Sequence, residues 1–102
     1  MVGPALELLQ QDPARDWTVA TLAAEVGISR AALARRFTDL VGVPPMAYLT
    51  WWRLTMAARL LRETELPLPS IASKVGYASP FALSHAFKRQ FGVAPGGYRT
   101  PR

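Results

Sequence analysis

The chain of 102 residues has room for one domain, and half of its residues are hydrophobic, which is enough for a modest core. It contains no cysteine, which excludes disulfides, thiolate metal sites and cysteine nucleophiles, and its single histidine excludes mechanisms that need two imidazoles. Twelve Lys and Arg against seven Asp and Glu give a net charge of +5, which favours a polyanionic partner.

The N-terminal residues lack the features of a targeting segment. Met1 is followed by Val2, Gly3 and Pro4, with neither a basic region nor a long apolar run, so we expect no signal peptide, no membrane span and a cytoplasmic location. No cofactor and no metal are expected, because the sequence offers no ligand set and no clustered carboxylates. An enzyme is therefore not expected.

The first predicted elements are two short helices. The first is amphipathic and carries its apolar residues at helical spacing: Ala5, Leu6, Leu8 and Leu9. Thr18 can cap the N-terminus of the second helix, and Gly27 supplies the backbone freedom needed to end it. The apolar face of this second helix is predicted to consist of Val19, Leu22, Ala23 and Val26.

A third helix is predicted to begin after Ser29, which has the side chain of an N-cap. It ends at Gly42, because the prolines at 44 and 45 prevent direct continuation. Its buried face is predicted to consist of Leu33, Phe37, Leu40 and Val41.

From Pro45 to about Glu63 no helix breaker interrupts the chain, so one long helix is predicted. Its apolar side is predicted to carry Leu49, Trp52, Met56, Leu60 and Leu61. At ~1.5 Å per residue this helix would span roughly 30 Å, close to the ~34 Å between major-groove faces one turn apart. The predicted subdomains are therefore 1–44 and 65–102, with a linking helix at 45–64.

The C-terminal residues predict a second pair of helices. Pro69 is expected to open a helix that ends at Gly76, and Ser79 forms an N-cap followed by Pro80 in the first turn. The buried face of the last helix is predicted to consist of Leu83, Phe87 and Phe91. No acid occurs from residue 66 onwards, so this part of the chain is basic.

The two pairs of helices repeat each other. At an offset of 49 the matching residues are Leu22, Ala23, Val26 and Gly27 with Ile71, Ala72, Val75 and Gly76. At an offset of 50 they are Ser29, Leu33, Phe37, Gly42, Val43, Pro45 and Tyr48 with Ser79, Leu83, Phe87, Gly92, Val93, Pro95 and Tyr98. A small residue where two helices cross, with glycine four residues later, is the helix-turn-helix pattern, and for one copy the alternative is a hairpin used only for packing. Two copies predict an all-α fold with two helix-turn-helix subdomains joined by a long central helix.

The second helix of each copy, residues 29–41 and 79–91, is predicted to present an outer face to DNA. At roughly 100° per residue this face lies opposite the buried one. The candidates for contact with bases are Ala31, Arg35 and Thr38 in the first copy and Phe81, Ser84 and His85 in the second. Arg35 can donate two parallel hydrogen bonds to guanine, and Ala31 can offer its methyl group to a thymine methyl.

Other residues of these two helices suit contacts with phosphates, which position a protein on DNA without reading its sequence. They are Ser29, Arg30 and Arg36 in the first copy and Ser79, Lys88 and Arg89 in the second. For Arg36 a salt bridge to a nearby acid is the alternative role.

Several aromatic residues and the histidine have two interpretations each. Phe81 has no obvious core partner, so it either contacts thymine methyls or packs on Tyr77 or Ala78 in the turn. His85 is either a base contact or an ordinary surface imidazole. Three tryptophans could stack on single-stranded bases, but their helical context favours the core: Trp17, Trp51 and Trp52.

The most specific stretches are Trp52-Arg53-Leu54, Ala57-Ala58-Arg59-Leu60-Leu61, Ile71-Ala72, Val75-Gly76-Tyr77, Ser79, Phe87-Lys88-Arg89-Gln90-Phe91-Gly92, Pro95 and Tyr98-Arg99. In these residues, and over nearly its whole length, the chain resembles the AraC-type family of bacterial transcription regulators. The DNA-binding domain of that family has two helix-turn-helix subdomains joined by a long helix.

The resemblance implies sequence-specific binding to double-stranded promoter DNA, with both recognition helices in the major groove. It supports Ala31, Arg35, Phe81 and His85 as base-facing positions. Many relatives look to have Arg in place of His85 and a polar residue in place of Phe81, so weaker base reading is expected from the second helix.

The resemblance also implies RNA polymerase as a further partner, and a basic helical adaptor that never reads DNA is the rival function. The isolated domain is expected to be monomeric. Relatives commonly carry an N-terminal sensing or dimerisation domain, so the chain is expected to be either an excised domain or similar to small stand-alone members. Activation and repression both stay open, as do the target sequence and the effector.

Overall fold

The computed structural model describes residues 2–99, which fold into helices with no strand among them. In chain order the helices are α1 (Val2–Gln11), α2 (Val19–Val26), α3 (Arg30–Val41), α4 (Pro45–Glu63), α5 (Leu68–Val75), α6 (Pro80–Phe91) and α7 (Pro95–Arg99). The predicted all-α class and the long central helix are confirmed, the latter with the predicted bounds. Within residues 2–99 no helix has the length and apolarity that crossing a bilayer requires.

The chain divides into two compact units, residues 1–52 and residues 53–102, called here the N-terminal and the C-terminal unit. The division lies within α4, a helix of 19 residues that has no break at this point. Each unit has its own hydrophobic core, and each contains one pair of helices joined by a tight turn.

The core of the N-terminal unit is formed by α1, α2, α3 and the beginning of α4. Its buried residues are Val2, Ala5, Leu9, Trp17, Leu22, Ala23, Leu33, Phe37 and Leu49. The indole of Trp17 donates a hydrogen bond of 2.9 Å to the backbone oxygen of Asp12, so its polar edge is satisfied. The predicted core role of Trp17 is therefore confirmed.

The core of the C-terminal unit uses the second part of α4. Its buried residues are Leu54, Ala57, Ala58, Leu61, Ile71, Ala72, Val75, Leu83 and Phe87. The single apolar side predicted for α4 includes neither Leu54 nor Ala57, although both are buried. Because α4 contributes to two cores in succession, Trp52, Met56 and Leu60 from the predicted stripe are only half-buried.

Both tight turns have the same backbone geometry. Gly27 and Gly76 adopt φ values of 78° and 102°, in the left-handed region where glycine is strongly preferred. The amides of Gly27 and Ile28 both donate to the oxygen of Ala23, at 2.9 and 3.1 Å. The amides of Gly76 and Tyr77 donate to the oxygen of Ala72 in the same way, at 3.1 and 2.9 Å. The repeat seen in the sequence is thus a repeat of structure.

Besides the half-buried residues of α4, three predicted core residues are exposed. Leu40 is 73% exposed, because in the last turn of α3 it is Val41, four residues after Phe37, that packs against the core. Phe91 is 38% exposed, because α6 ends there and its ring lies at the rim of the core, 4.6 Å from the ring of Phe87. Trp51 is 46% exposed and contacts the rings of Tyr48 and Trp52 rather than the core.

The repeat also extends beyond the two helix pairs. At an offset of 52, the buried residues Val2, Ala5 and Leu9 of α1 correspond to Leu54, Ala57 and Leu61 of α4. Gln10 and Arg62, also 52 apart, donate hydrogen bonds of 2.7 and 2.6 Å to the hydroxyls of Tyr48 and Tyr98. Each tyrosine ring packs edge-on against the Phe of its own unit, Phe37 or Phe87.

This correspondence explains α7, a short helix that the sequence pattern did not predict. It repeats the first turn of α4, with Pro95 in the place of Pro45. The fifth helix also differs slightly from expectation, because it begins at Leu68 with Pro67 in the N-cap position, so that Pro69 lies in its first turn.

Candidate nucleic-acid interface

In the N-terminal unit, α3 is fixed by hydrogen bonds at its N-terminus and by burial of one face. The hydroxyl oxygen of Ser29 accepts a hydrogen bond of 3.1 Å from the amide of Ala32, as its predicted N-cap role requires. The preceding α2 is capped by Thr18, whose oxygen accepts from the amide of Thr21 at 3.0 Å. With Leu33 and Phe37 fully buried, the opposite side of α3 is left to solvent.

This opposite side is the outer face of α3, formed by Ala31, Arg35 and Thr38. Ala31 and Arg35 are exposed, and Thr38 is half-buried. Arg30 and Arg36 are also exposed and flank the face. Among residues 2–99 no acid pairs with Arg36, so the alternative of a salt bridge at that position is not supported.

In the C-terminal unit, α6 is held in the corresponding way. The oxygen of Ser79 accepts a hydrogen bond of 3.0 Å from the amide of Ala82, and Pro80 follows in the first turn, both as predicted. Leu83 and Phe87 are fully buried. They face the core, so the residues on the other side of α6 are presented outwards.

The outer face of α6 is formed by Phe81, Ser84 and His85. Phe81 is 80% exposed, which rules out the alternative that its ring packs into the turn. Ser84 is half-buried and His85 is exposed, as are Lys88 and Arg89 in the last turn. The structure therefore groups the predicted base-facing residues on one face of each helix, with the predicted phosphate contacts around them.

Tyr77, which follows the turn glycine of the C-terminal unit, packs against the core instead of joining the outer face of α6. Burial raises the pKa of its hydroxyl above the ordinary value, and the nearby guanidinium of Arg53 lowers the pKa by a smaller amount. The hydroxyl is therefore neutral at physiological pH. This residue takes the place in the core that Ile28 has in the N-terminal unit.

The ion pairs of the structure lie outside both recognition helices. Arg15 pairs with Glu25, and Arg59 pairs with Glu63, each at 3.2 Å. In the described part of the chain, the arginines of α3 and the cations of α6 have no carboxylate partner, so their charges are available to an anion. Within the same residues no group of three His, Asp or Glu is placed to hold a metal ion.

The two units differ strongly in charge. The N-terminal unit has four cations and five acids, a net charge of −1: Arg15, Arg30, Arg35 and Arg36 against Glu7, Asp12, Asp16, Glu25 and Asp39. The C-terminal unit has eight cations and two acids, a net charge of +6: Arg53, Arg59, Arg62, Lys74, Lys88, Arg89, Arg99 and Arg102 against Glu63 and Glu65. The net positive charge of the chain therefore comes entirely from the C-terminal unit.

Two exposed polar residues in the last turns of these helices were not among the predicted contacts, namely Asp39 in α3 and Gln90 in α6. The repeat alignment could have drawn attention to Asp39, because the residue 50 positions later is Arg89. The same end of the two recognition helices thus carries opposite charges.

Comparisons with known proteins agree with this architecture. A family model described as a helix-turn-helix domain matches residues 22–101. A putative AraC-like transcription regulator of Streptomyces lividans is 54% identical over 99 residues, which are 97% of this chain and 33% of that protein. The chain thus spans about a third of the length of this relative and of a similar regulator from Streptomyces antibioticus.

Two solved structures are also similar. The C-terminal domain of AraT, a response regulator from Geobacillus stearothermophilus, has a TM-score of 0.92 at 35% identity, covering 96% of this chain and 82% of that one. The DNA-binding domain of the global transcriptional factor AdpA, solved in complex with a target DNA, has a TM-score of 0.91 at 33% identity, covering 96% and 88%. The family is one of regulators and not of enzymes. With a family model matching most of its length, the chain belongs to the AraC-type family of bacterial transcription regulators.

Proposed function

We propose that this chain binds specific sequences of double-stranded promoter DNA and thereby regulates transcription. The observation that carries the proposal is the exposed outer face of α3, where Arg35 lies opposite the buried Leu33 and Phe37. An arginine in that position can donate two hydrogen bonds to O6 and N7 of guanine. The C-terminal unit presents a corresponding exposed face on α6. Two such units in one chain favour DNA binding over helical hairpins that serve only for packing.

The residues have two proposed roles. The outer faces contact bases, through Ala31, Arg35 and Thr38 on α3 and through Phe81, Ser84 and His85 on α6. Contacts with phosphates come from Ser29, Arg30, Arg36, Ser79, Lys88 and Arg89, which fix the position of each helix without specifying sequence. The hydroxyl protons of the two serines can be donated to phosphates, because in their caps these hydroxyls only accept.

The two recognition helices are proposed to enter successive major grooves. Support comes from α4, which is continuous over 19 residues and therefore about 28 Å long. Successive grooves on one side of a duplex are separated by about 34 Å. The two units are connected by α4 itself, with no loop between them.

The proposed setting is the bacterial cytoplasm, where the chain acts by binding, without catalysis, and as a monomer when isolated. RNA polymerase is a proposed further partner. The rival function is a basic helical adaptor that binds protein alone. The three arginines of α3 are exposed and pair with no acid among residues 2–99, which favours DNA because a polyanion binds to clustered cations.

Selection of bound duplexes from a random pool tests the proposal. A sequence-specific reader will enrich one motif with two half-sites, and footprinting of the enriched duplex will protect both. An adaptor that never reads DNA will leave the pool without a motif. The selected duplex also gives the probe for the experiments described below.

A further inference from the structure

The outer faces of the two recognition helices carry different chemistry at corresponding positions. Phe81 of α6 corresponds to Ala31 of α3, and His85 corresponds to Arg35. The guanidinium of Arg35 can form two parallel hydrogen bonds with guanine. The imidazole of His85 can direct only one nitrogen towards a base, as either a donor or an acceptor. At the first position a methyl group is replaced by a large aromatic side chain.

Phe81 is the most exposed large apolar residue of the described chain, at 80%. No other aromatic ring of residues 2–99 lies against it. Its place is the first turn of α6, directly after the Ser79 cap and Pro80. Burying so much apolar surface against a partner is favourable, so a contact for this ring would add to the affinity.

Charge complementarity indicates what the partner of this face is. The C-terminal unit has a net charge of +6, and Lys88 and Arg89 follow Phe81 along the same helix without acidic partners. Such a unit attracts a polyanion without any hydrogen bond to bases. An apolar ring held over the major groove can then recognise only one kind of group there, the C5 methyl of thymine.

We infer that the two units read DNA by different chemistry, and that Phe81 makes α6 a reader of thymine methyl groups. The inference rests on the proposed function and makes it more specific. The N-terminal unit, with little net charge, uses Arg35 to recognise guanine. The C-terminal unit binds the phosphates through its cations and distinguishes thymine through Phe81.

Replacement of thymine by deoxyuridine removes the methyl group while keeping the base pair and the phosphates. The probes are the selected duplex and two versions of it, with deoxyuridine in one half-site or in the other. The half-site of α6 is located with Ala78→Cys carrying an iron-chelate cleavage reagent. This labelling is specific, because the chain has no cysteine and Ala78 is exposed.

Deoxyuridine in the α6 half-site is expected to weaken binding about fourfold for each methyl group removed, the effect of returning one methyl-sized group to water. Phe81→Ala should bind the thymine duplex more weakly and should not distinguish thymine from deoxyuridine there. The slope of affinity against salt should stay the same in all cases, because no phosphate contact changes. Leu40→Ala is the matched control, since it removes an exposed apolar side chain from α3 and should keep the full sensitivity to deoxyuridine.

Three results would overturn the inference while leaving DNA binding intact. They are equal deoxyuridine sensitivity in the wild type and Phe81→Ala, no sensitivity in the wild type, and selected sites without thymine in the α6 half-site. A chain that binds no duplex at all would instead overturn the proposed function, and the inference with it.

Discussion

The guanidinium of Arg99 donates a hydrogen bond of 2.7 Å to the backbone oxygen of Leu66. The same group also donates to the oxygens of Leu61 and Thr64, at 3.3 and 3.2 Å. One side chain at the end of α7 therefore donates to a carbonyl in the last turn of α4, where helix geometry leaves carbonyls without donors, and to two carbonyls of the connection to α5.

Arg99→Ala is expected to lower the free energy of unfolding by about 2 kcal/mol, because partly buried carbonyls would lose a charged donor. Arg99→Lys should recover less than half of the loss, since an ammonium cannot reach three carbonyls in the way that a planar guanidinium does. Urea denaturation followed by circular dichroism measures both. Arg89→Ala removes an exposed cation from the same unit and should change stability by at most ~0.5 kcal/mol. A loss for Arg99→Ala no larger than that of this control would contradict the role given to Arg99.

The turn glycines give a second prediction. Gly27 has φ 78°, and a Cβ atom added there would meet nothing within 4 Å, so the cost of a side chain is backbone strain alone. Gly27→Ala should therefore cost about 1–2 kcal/mol of stability, measured by thermal or urea denaturation. Gly97→Ala is the control, because this residue is helical and its added Cβ is equally free of contacts. Alanine there should be neutral or slightly stabilising, and equal losses at the two positions would refute the explanation by strain.

How much the sequence predicts depends on how many neighbours decide the outcome. Caps and turns depend on a few adjacent residues, so the roles predicted for Thr18, Ser29 and Gly27 are confirmed. The burial of the last turn of a helix depends on which elements pack beside it, and for this reason the predicted core positions of Leu40 and Phe91 are wrong. For the same reason the sequence does not predict that α4 contributes to two cores in succession, with Leu54 and Ala57 buried in the second.

The candidate site was predictable to the extent that helical periodicity determines it. Once Leu33 and Phe37 are assigned to the core, the positions on the opposite face of α3 follow. Phe81 is different, because two positions of its ring, packed in the turn or exposed on the outer face of α6, are both compatible with the sequence. Only the structure, with Tyr77 packed on the core and Phe81 exposed, distinguishes them.

Arg35 and Arg36 are adjacent in sequence but differ in proposed role, which gives a third prediction. Arg35→Ala should cost about 1–3 kcal/mol of binding free energy on the selected duplex and relax the preference at one or two base pairs. Arg36→Ala should weaken binding to all sequences alike, because a phosphate contact carries no sequence information. Affinities for the selected duplex and its single base-pair variants measure the difference. Equal loss on selected and random duplexes for Arg35→Ala would show that this residue reads no base.

The continuity of α4 gives a fourth prediction, about the spacing of half-sites. Insertion of about five base pairs between the half-sites turns one of them to the far side of the duplex, so the affinity should fall toward that of a single unit. Insertion of about ten base pairs restores the face but not the distance, and a helix of fixed length should not recover the binding. Titration of the three duplexes measures the effect. Equal affinity for all of them would mean that only one unit reads DNA.

The most direct test of sequence-specific DNA binding is the affinity for the selected duplex and for a scrambled duplex of equal length, measured over a range of salt concentrations. With ~5 to 7 phosphate contacts, the logarithm of the affinity should fall against the logarithm of the salt concentration with a slope of roughly −4 to −6. At physiological salt the selected duplex should bind at least about a thousandfold more tightly than the scrambled one. A flat salt response, or equal affinity for both duplexes, would contradict the proposed function.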